Sequence, residues 1–248
     1  MASMAVTDAV IGLVSMPLGI YVIATNGKWG LGDDLCQVWI WLDKILCTVS
    51  IYHVVCLSGD RYTAVCHPLR YRFMPKRTVY CLIAVCWTVP VTMTVLTVVS
   101  GWHHSGVEVL VECIRQSESC QAVYNTPFLL IISTTDFYIP FTVIFVVYFL
   151  VLRKIQVLPG TSIHTNAHAS SESNVKPHRS RTKAYRTIGI IVLGFTVCWL
   201  PFSIFNVVAI YTGYSLPLWI ILLFTWMGYV NSALNPIFFC FNKSVRQA

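Results

Sequence analysis

Charged residues are scarce in this chain: Asp, Glu, Lys and Arg make up 11% of its 248 residues, and the mean hydropathy is +0.68. A soluble globular domain carries about 25% charged residues. The shortage therefore excludes an ordinary soluble domain and indicates a protein embedded in lipid. The net charge of +7 does not indicate a nucleic-acid-binding protein, because the basic residues border apolar segments and form no single patch.

Metal-ligand spacing is missing as well. The ten cysteines include no Cys-x-x-Cys pair, so the sequence predicts no zinc module. Most of them lie in apolar segments, where a thiol packs as a small apolar group. The first residues also lack the basic start of a signal peptide, and Asp8 interrupts what would be its apolar core.

Six apolar stretches are present, each of roughly the 20 residues that a helix needs to cross a bilayer. Barrel strands would be about half as long and would alternate in polarity. The sequence therefore predicts an all-α membrane protein, with residues 1–248 forming a single transmembrane domain. The stretches cover about 1–24, 36–59, 79–100, 127–152, 187–212 and 216–241.

The basic residues predict the orientation of the bundle. Fourteen of the 17 lysines and arginines fall in 61–77, in 153–186 or in the tail after residue 242. The positive-inside rule places these three regions in the cytoplasm. Residues 155–183 are rich in Ser, His and Asn, so we expect them to form a flexible cytoplasmic loop.

Three aspartates, Asp8, Asp43 and Asp136, lie inside apolar stretches. An acidic side chain near the bilayer centre costs roughly 2.5–3.5 kcal/mol on insertion scales, so such residues usually have a function. We expect Asp43 and Asp136 to face one pocket on the extracellular side. A carboxylate there is a natural counter-ion for an ammonium ligand, unless Asp43 is paired internally with Lys44 or a tyrosine. Aromatic side chains that could surround the cation are Trp199, Phe202, Trp226 and Tyr229.

Three motifs occur in order along the chain. Asp60-Arg61-Tyr62 is followed by Pro68; Trp199 and Pro201 lie in Phe195–Phe202; and Asn231–Phe239 contains Asn235 and Pro236. Together they resemble rhodopsin-like (class A) G-protein-coupled receptors, most closely the biogenic-amine group. The resemblance starts at the family's second helix. It therefore implies a seven-helix receptor bundle of which six helices are present, in a fragment, an incomplete gene model or a truncated receptor.

The resemblance also implies roles for individual residues. The ligand pocket would contain Asp43, Cys47, Ser133, Asp136, Trp199, Phe202, Trp226 and Tyr229. Coupling to a heterotrimeric G protein would use Asp60, Arg61, Tyr62, Pro68, Pro201, Asn235, Pro236 and Phe239. A sodium and water network would use Asp8, Ser50, Asn231, Ser232 and Asn235, and a disulfide would join Cys36 to Cys120.

Two positions depart from the family pattern at the cytoplasmic side. Phe239 stands where the family has tyrosine. Arg181 stands where many amine receptors carry a glutamate that would pair with Arg61. Two like charges cannot form that pair, so we expect a weakly restrained inactive state with raised basal activity. Restoring the glutamate in an Arg181→Glu variant should lower basal signalling, and equal basal activity in both forms would refute the hypothesis.

Asp136 is the third departure, because the family more often has serine, threonine or alanine there. A second carboxylate predicts a ligand with two basic ends, or an imidazole as in histamine. The alternative is that Asp136 is protonated or hydrogen-bonded to a neighbouring helix. The sequence leaves histamine, trace amines and serotonin open as ligands.

Other functions fit the sequence less well. Gly30-Leu31-Gly32-Asp33 has the form of an intramembrane-protease motif, but it lies in an extracellular loop, so no enzyme is predicted. A six-span channel or transporter would need a filter-like loop or internal repeats, and the sequence has neither. A non-signalling receptor fragment is a further alternative. We expect a multi-pass plasma-membrane receptor whose partners are a small amine, a G protein and membrane lipid. We expect no nucleic acid partner and no cofactor except a sodium ion at Asp8.

Overall fold

The computed structural model describes residues 2–157, 189, 192–208, 211 and 217–241. Within these ranges the chain is helical and contains no β-strand. The helices are α1 (Ala2–Val10, Ile11–Ser15 and Met16–Ala24), α2 (Asp33–Cys66), α3 (Pro68–Arg72), α4 (Lys76–Ser100), α5 (Glu108–Gln116), α6 (Thr126–Ser133, Thr134–Tyr138 and Ile139–Val157), α7 (Val192–Val208) and α8 (Leu218–Phe241).

Four of these helices, α1, α2, α4 and α6, are long and apolar enough to cross a membrane. Helix α8 has 24 residues, about the length needed to span the hydrocarbon core. The described part of α7 is shorter. The prediction of an all-α membrane bundle is confirmed.

The helices run further than the apolar stretches that predicted them. Helix α2 begins at Asp33 and ends at Cys66, several residues beyond 36–59 at both ends. Asp33 and Asp34 lie in its first turn, where acidic side chains interact favourably with the positive end of the helix dipole. These charges stabilise the extra turn of helix at the polar interface. Helix α6 likewise continues to Val157, which makes the first residues of the expected loop 155–183 helical. Residues 158–183 lie outside the described part of the chain.

Helix α2 forms the centre of the bundle. In the most apolar segment of α2, 44% of the residues are buried, whereas in the corresponding segment of α4 only 17% are buried. Ile51 and Val54 of α2 belong to a core that includes Phe141 and Ile144 of α6 and Phe195 of α7. Helix α4 therefore lies at the periphery, with most of its apolar side chains directed towards lipid.

One polar network joins α1, α2 and α4. The His53 Nδ1 lies 2.7 Å from the Val49 carbonyl oxygen, and its Nε2 lies 3.0 Å from Ser3 Oγ. Because a carbonyl only accepts, Nδ1 carries the proton and Nε2 accepts from the serine hydroxyl. The Trp87 indole donates to the same Ser3 oxygen at 2.8 Å. Each of these polar groups is thereby paired, which fixes the packing of three helices.

Two spans contain a widened π-helical turn next to a proline. Ile11–Ser15 precedes Pro17, and Thr134–Tyr138 precedes Pro140. Proline donates no hydrogen bond and its ring crowds the carbonyl four residues earlier. The preceding turn relieves this by widening to i→i+5 bonds, a bulge that is frequent at functional sites. Asp136 lies within the second bulge, so the bulge sets the direction of its side chain.

Residues 101–126, which we expect on the extracellular side, contain structure that the sequence did not predict. Residues Trp102–His104 form a 3-10 turn and Glu108–Gln116 form α5. Glu108 lies in the first turn of α5 and Arg115 in the last, where each charge is favoured by the helix dipole. Asp33 of the Gly30–Asp33 motif is exposed and forms an ion pair with Arg115 at 2.5 Å, so this aspartate ties the start of α2 to α5.

Candidate ligand pocket and signalling residues

A cavity of about 270 Å³ opens between α1, α2, α6, α7 and α8. Seven of the eight residues predicted to bind a ligand line it: Asp43, Cys47, Asp136, Trp199, Phe202, Trp226 and Tyr229. Ser133 was predicted to belong to this group, but it is buried and does not line the cavity. On that part of α6 the wall is formed by Leu129 and Ile132, which lie three residues apart on one face of the helix.

Asp43 is the acidic residue that α2 contributes to the cavity wall. The hydroxyl groups of Ser15 on α1 and Tyr229 on α8 face its carboxylate. Within the described part of the chain, Oδ1 of Asp43 and both hydroxyl oxygens are buried without a hydrogen-bond partner. None of the ion pairs found in that part of the chain involves Asp43. The carboxylate is therefore available to a cation that enters the cavity.

Aromatic rings cover the side of the cavity formed by α6, α7 and α8. Phe137 lies 5.5 Å from Trp199 and 5.7 Å from Phe202 between ring centroids. Trp226 meets Tyr229 edge to face at 5.6 Å. The Trp199 ring passes so close to α8 that a Cβ at Gly228 would lie 3.1 Å from it, so a larger residue at this position would require the ring to shift. Such faces attract an organic cation by their quadrupole.

Lys44 forms an ion pair with Asp136 across the cavity. Its Nζ lies 2.9 Å from Asp136 Oδ2. Thr48 donates to the same oxygen at 3.3 Å, and Thr135 donates to Oδ1 at 3.0 Å. The alternative for Asp43 was an internal pairing with Lys44 or a tyrosine. The structure pairs Lys44 with Asp136 instead, and it places the Tyr229 hydroxyl beside Asp43. The alternative of an internally bonded Asp136 thus describes the structure better than a free carboxylate.

The disulfide between Cys36 and Cys120 covers the mouth of the cavity and confirms the predicted pair. The Cα atoms of the two cysteines are 5.7 Å apart. Beside it, Trp29 stacks on Trp39 at 5.3 Å. Cys113 is free and exposed, as the predicted pairing requires.

A second aromatic group lies at the same side of the bundle. His103 packs edge to face on Trp41 at 5.0 Å and contacts the ring of His104 at 3.9 Å. Burial, with a smaller effect of His104, lowers the pKa of His103. Backbone N–H groups lower the pKa of Glu108. The histidine is therefore neutral and the glutamate ionised near neutral pH, so this part of the mouth adds no positive charge against an arriving cation.

Asp8 lies deeper, between α1, α2 and α8. The Asn235 amide donates to its two carboxylate oxygens at 3.2 and 3.4 Å. Ser50 and Ser232 also face the carboxylate. Among the described residues, the Ser50 hydroxyl and the Asn231 amide nitrogen are buried without a hydrogen-bond partner. The structure therefore brings four residues of the predicted sodium and water network together, Asp8, Ser50, Ser232 and Asn235. Asn231 lies one turn before Asn235 on α8.

The C-terminal end of α2 carries the Asp60-Arg61-Tyr62 triplet. Arg61 Nε lies 3.3 Å from Asp60 Oδ2, and both side chains remain partly accessible. Tyr62 packs against His67 at 5.8 Å, and Pro68 begins α3. The large apolar side chains of Leu69 and Phe73 are 78% and 80% exposed beside it, a surface suited to a protein partner.

Other predicted switch residues are described only in part. Pro201 lies inside α7, two residues after Trp199 of the cavity. Pro236 and Phe239 belong to α8, but their side chains lie outside the described part of the structure. The same is true of Arg181, so its expected effect on Arg61 stays a prediction.

The fold and the sites define a multi-pass helical membrane receptor, with an acidic aromatic cavity at one end and an Asp-Arg-Tyr triplet at the other. The family model for "7 transmembrane receptor (rhodopsin family)" matches residues 1–239. The chain belongs to this family, whose members are receptors and not enzymes. The resemblance inferred from the motifs is confirmed.

Several curated relatives match nearly the whole chain. The 5-hydroxytryptamine receptor 4 of Cavia porcellus is 33% identical over 263 residues, which cover 99% of this chain and 68% of the relative. Trace amine-associated receptor 13c of Danio rerio is 30% identical, with 96% and 70% covered. The D(1C) dopamine receptor of Xenopus laevis is 30% identical, with 99% and 58% covered.

Proposed function

We propose that this protein is a receptor for a small biogenic or trace amine and that Asp43 is the counter-ion of the bound ammonium group. The observation that carries the proposal is the buried Oδ1 of Asp43, which lies in an aromatic cavity beside the Ser15 and Tyr229 hydroxyl groups and, among the described residues, has no cation paired with it. The neighbouring cation, Lys44, is already paired with Asp136. The relatives, named as receptors for serotonin, trace amines and dopamine, support the same ligand class.

The bound amine would pack against the aromatic rings at the bottom of the cavity. Trp199 and Phe202 line the cavity from α7, on either side of Pro201. A ligand that packs better against one arrangement of these rings shifts the population towards it. Because a proline lacks one backbone hydrogen bond, α7 can bend there. We infer that this bend moves the cytoplasmic end of α7 and opens access to Arg61 for a G protein.

A dibasic ligand, or an imidazole, is the second candidate. It follows from the two carboxylates, Asp43 and Asp136, that share the cavity. The ion pair at 2.9 Å disfavours it, because a second ligand cation would have to displace the Lys44 ammonium. A single ammonium group at Asp43 requires no such displacement, so we favour a monoamine.

Nucleotide exchange on a purified G protein tests the proposed function. Membranes that contain the chain should accelerate exchange when a panel of monoamines is added, in a saturable manner. Liposomes that contain the chain should show no ion flux in the same assay series. Flux without amine-dependent exchange would instead support the channel or transporter alternative, and binding without exchange would support a non-signalling fragment. The proposed location, a plasma membrane, requires the same cavity to face the outside.

Asp8 and its neighbours fit a sodium ion. A hard cation prefers oxygen ligands, and the Asp8 carboxylate and the buried hydroxyl of Ser50 supply them. Ser232 would add a third oxygen. A bound ion would neutralise the carboxylate and hold α1, α2 and α8 in one arrangement.

Sodium should therefore stabilise the protein through Asp8. A ligand at ten times its Kd contributes about 1.4 kcal/mol, which corresponds to roughly 3–5 °C for a chain of this size. Thermal unfolding in NaCl should occur at higher temperature than in choline chloride of equal ionic strength. Asp8→Asn should abolish this difference, while Asp34→Asn, at an exposed carboxylate, should retain it. A sodium-insensitive unmodified protein would refute the site.

A further inference from the structure

We propose that Lys44, held in place by Asp136, recognises the far end of the ligand and selects a monoamine whose far end carries a neutral hydrogen-bond acceptor, such as a phenol or ether oxygen. The inference rests on the proposed function, because it requires the ligand ammonium group at Asp43. It assigns specificity to a lysine of α2 that has no counterpart among the residues implied by the family resemblance.

The geometry places two different charges on adjacent residues of one helix. Asp43 and Lys44 leave α2 about 100° apart around its axis, yet both line the cavity. Asp43 faces Ser15 of α1 and Tyr229 of α8. Lys44 reaches Asp136 of α6 instead. A ligand bound to Asp43 by its amine therefore extends with its other end towards the ion pair.

The ion pair leaves N–H donors of Lys44 available to the far end of the ligand. An ammonium group has three N–H donors, and the bond to Asp136 uses one of them. Asp136 also accepts from Thr48 and Thr135. These bonds hold the carboxylate, and the carboxylate holds the ammonium group at the cavity wall. An oxygen acceptor on the ligand can then bind a remaining N–H of Lys44 without breaking the pair.

The charges of the cavity distinguish the possible ligands. Asp43, Lys44 and Asp136 together carry one net negative charge. A ligand with one ammonium group neutralises it. A dibasic ligand leaves one net positive charge, and a ligand with an anionic far end leaves the negative charge and competes with Asp136 for Lys44. Since charge imbalance is unfavourable in a low-dielectric cavity, a single cation with a neutral acceptor is the best match.

Competition binding with three phenethylamines tests the inference on the full chain in membranes. The probes are phenethylamine itself, 4-methoxyphenethylamine, whose far end only accepts, and tyramine. The unmodified protein should bind both oxygen-bearing probes about tenfold more tightly than phenethylamine, as expected for a hydrogen bond from a charged donor. The double variant Lys44→Met/Asp136→Asn keeps the net charge of the cavity. It should bind the three probes with equal affinity, so the measurement is the ratio of affinities among the probes and not the absolute affinity of any one of them.

A gain of binding provides the second measurement, because misfolding cannot produce it. Asp136→Asn releases Lys44 from its partner, so 4-(2-aminoethyl)benzoate should bind about tenfold or more better relative to phenethylamine than it does to the unmodified protein. The inference is overturned if the double variant keeps the preference for oxygen-bearing probes or if this gain is absent. It is also overturned if Asp136→Asn selectively weakens histamine. Failure of every probe to bind the unmodified protein, or binding that survives Asp43→Asn, overturns the proposed function itself.

Discussion

Asp43→Asn should weaken the binding of a simple monoamine by about 100-fold or more. The change preserves the shape of the side chain and removes its charge. The ligand ammonium group would then lie among Trp199, Trp226 and Tyr229 without a counter-ion. Truncating one partner of a buried charge pair costs roughly 2–5 kcal/mol, and each 1.4 kcal/mol corresponds to about tenfold in affinity.

Competition binding in membranes measures this effect. Asp34→Asn is the matched control, because it makes the same change at an exposed carboxylate in the first turn of the same helix. The control should bind amines as the unmodified protein does. A loss of less than about threefold in Asp43→Asn would mean that the ammonium group binds elsewhere.

Removal of the disulfide should cause the largest loss of stability. Cys36 and Cys120 are 84 residues apart in the sequence. In the chain-entropy account, opening a loop of this length destabilises the folded state by about 4–5 kcal/mol. Cys120, Gln121 and Ala122 also line the cavity, so the Cys36→Ser/Cys120→Ser variant should bind amines more weakly as well.

Heating the protein and measuring by size-exclusion chromatography how much of it remains folded gives the loss of stability. Cys113→Ser is the control, because Cys113 is a free and exposed cysteine of the same extracellular region. It should unfold at the temperature of the unmodified protein. If the double serine variant does so too, the bridge does not stabilise the extracellular side of the bundle.

The apolar stretches were sufficient to predict the bundle, and the aspartates within them indicated which residues line its cavity. Asp43 and Asp136 were expected to face one extracellular-side cavity, and both line it. Their placement follows from helical periodicity, because an acidic residue in a span is favoured on the inward face. The order of the motifs indicated the family resemblance. That resemblance implied the disulfide and the position of Asp8 beside Asn235, and the structure contains both.

The partner of Asp136 could not be predicted in the same way. Lys44 and Asp136 are 92 residues apart, and their contact depends on how α2 packs on α6. The widened turn Thr134–Tyr138, which contains Asp136, was also not predicted. Pro140 was a visible signal for a distortion, but local sequence does not reveal whether the helix kinks or forms a bulge.

Helix α5 was missed for a different reason. It is short, and a segment of this length is marginal as an isolated helix. The available signals were Glu108 in its first turn and Arg115 in its last, which match the helix dipole. Its ion pair with Asp33 is a tertiary contact that the sequence could not supply.

A structure of the chain with a bound monoamine and a G protein tests the central claim most directly. We expect the ligand nitrogen to lie about 2.7–3.2 Å from a carboxylate oxygen of Asp43, while the Lys44–Asp136 ion pair stays closed. A ligand nitrogen bound to Asp136, with Lys44 displaced and Asp43 unengaged, would contradict it.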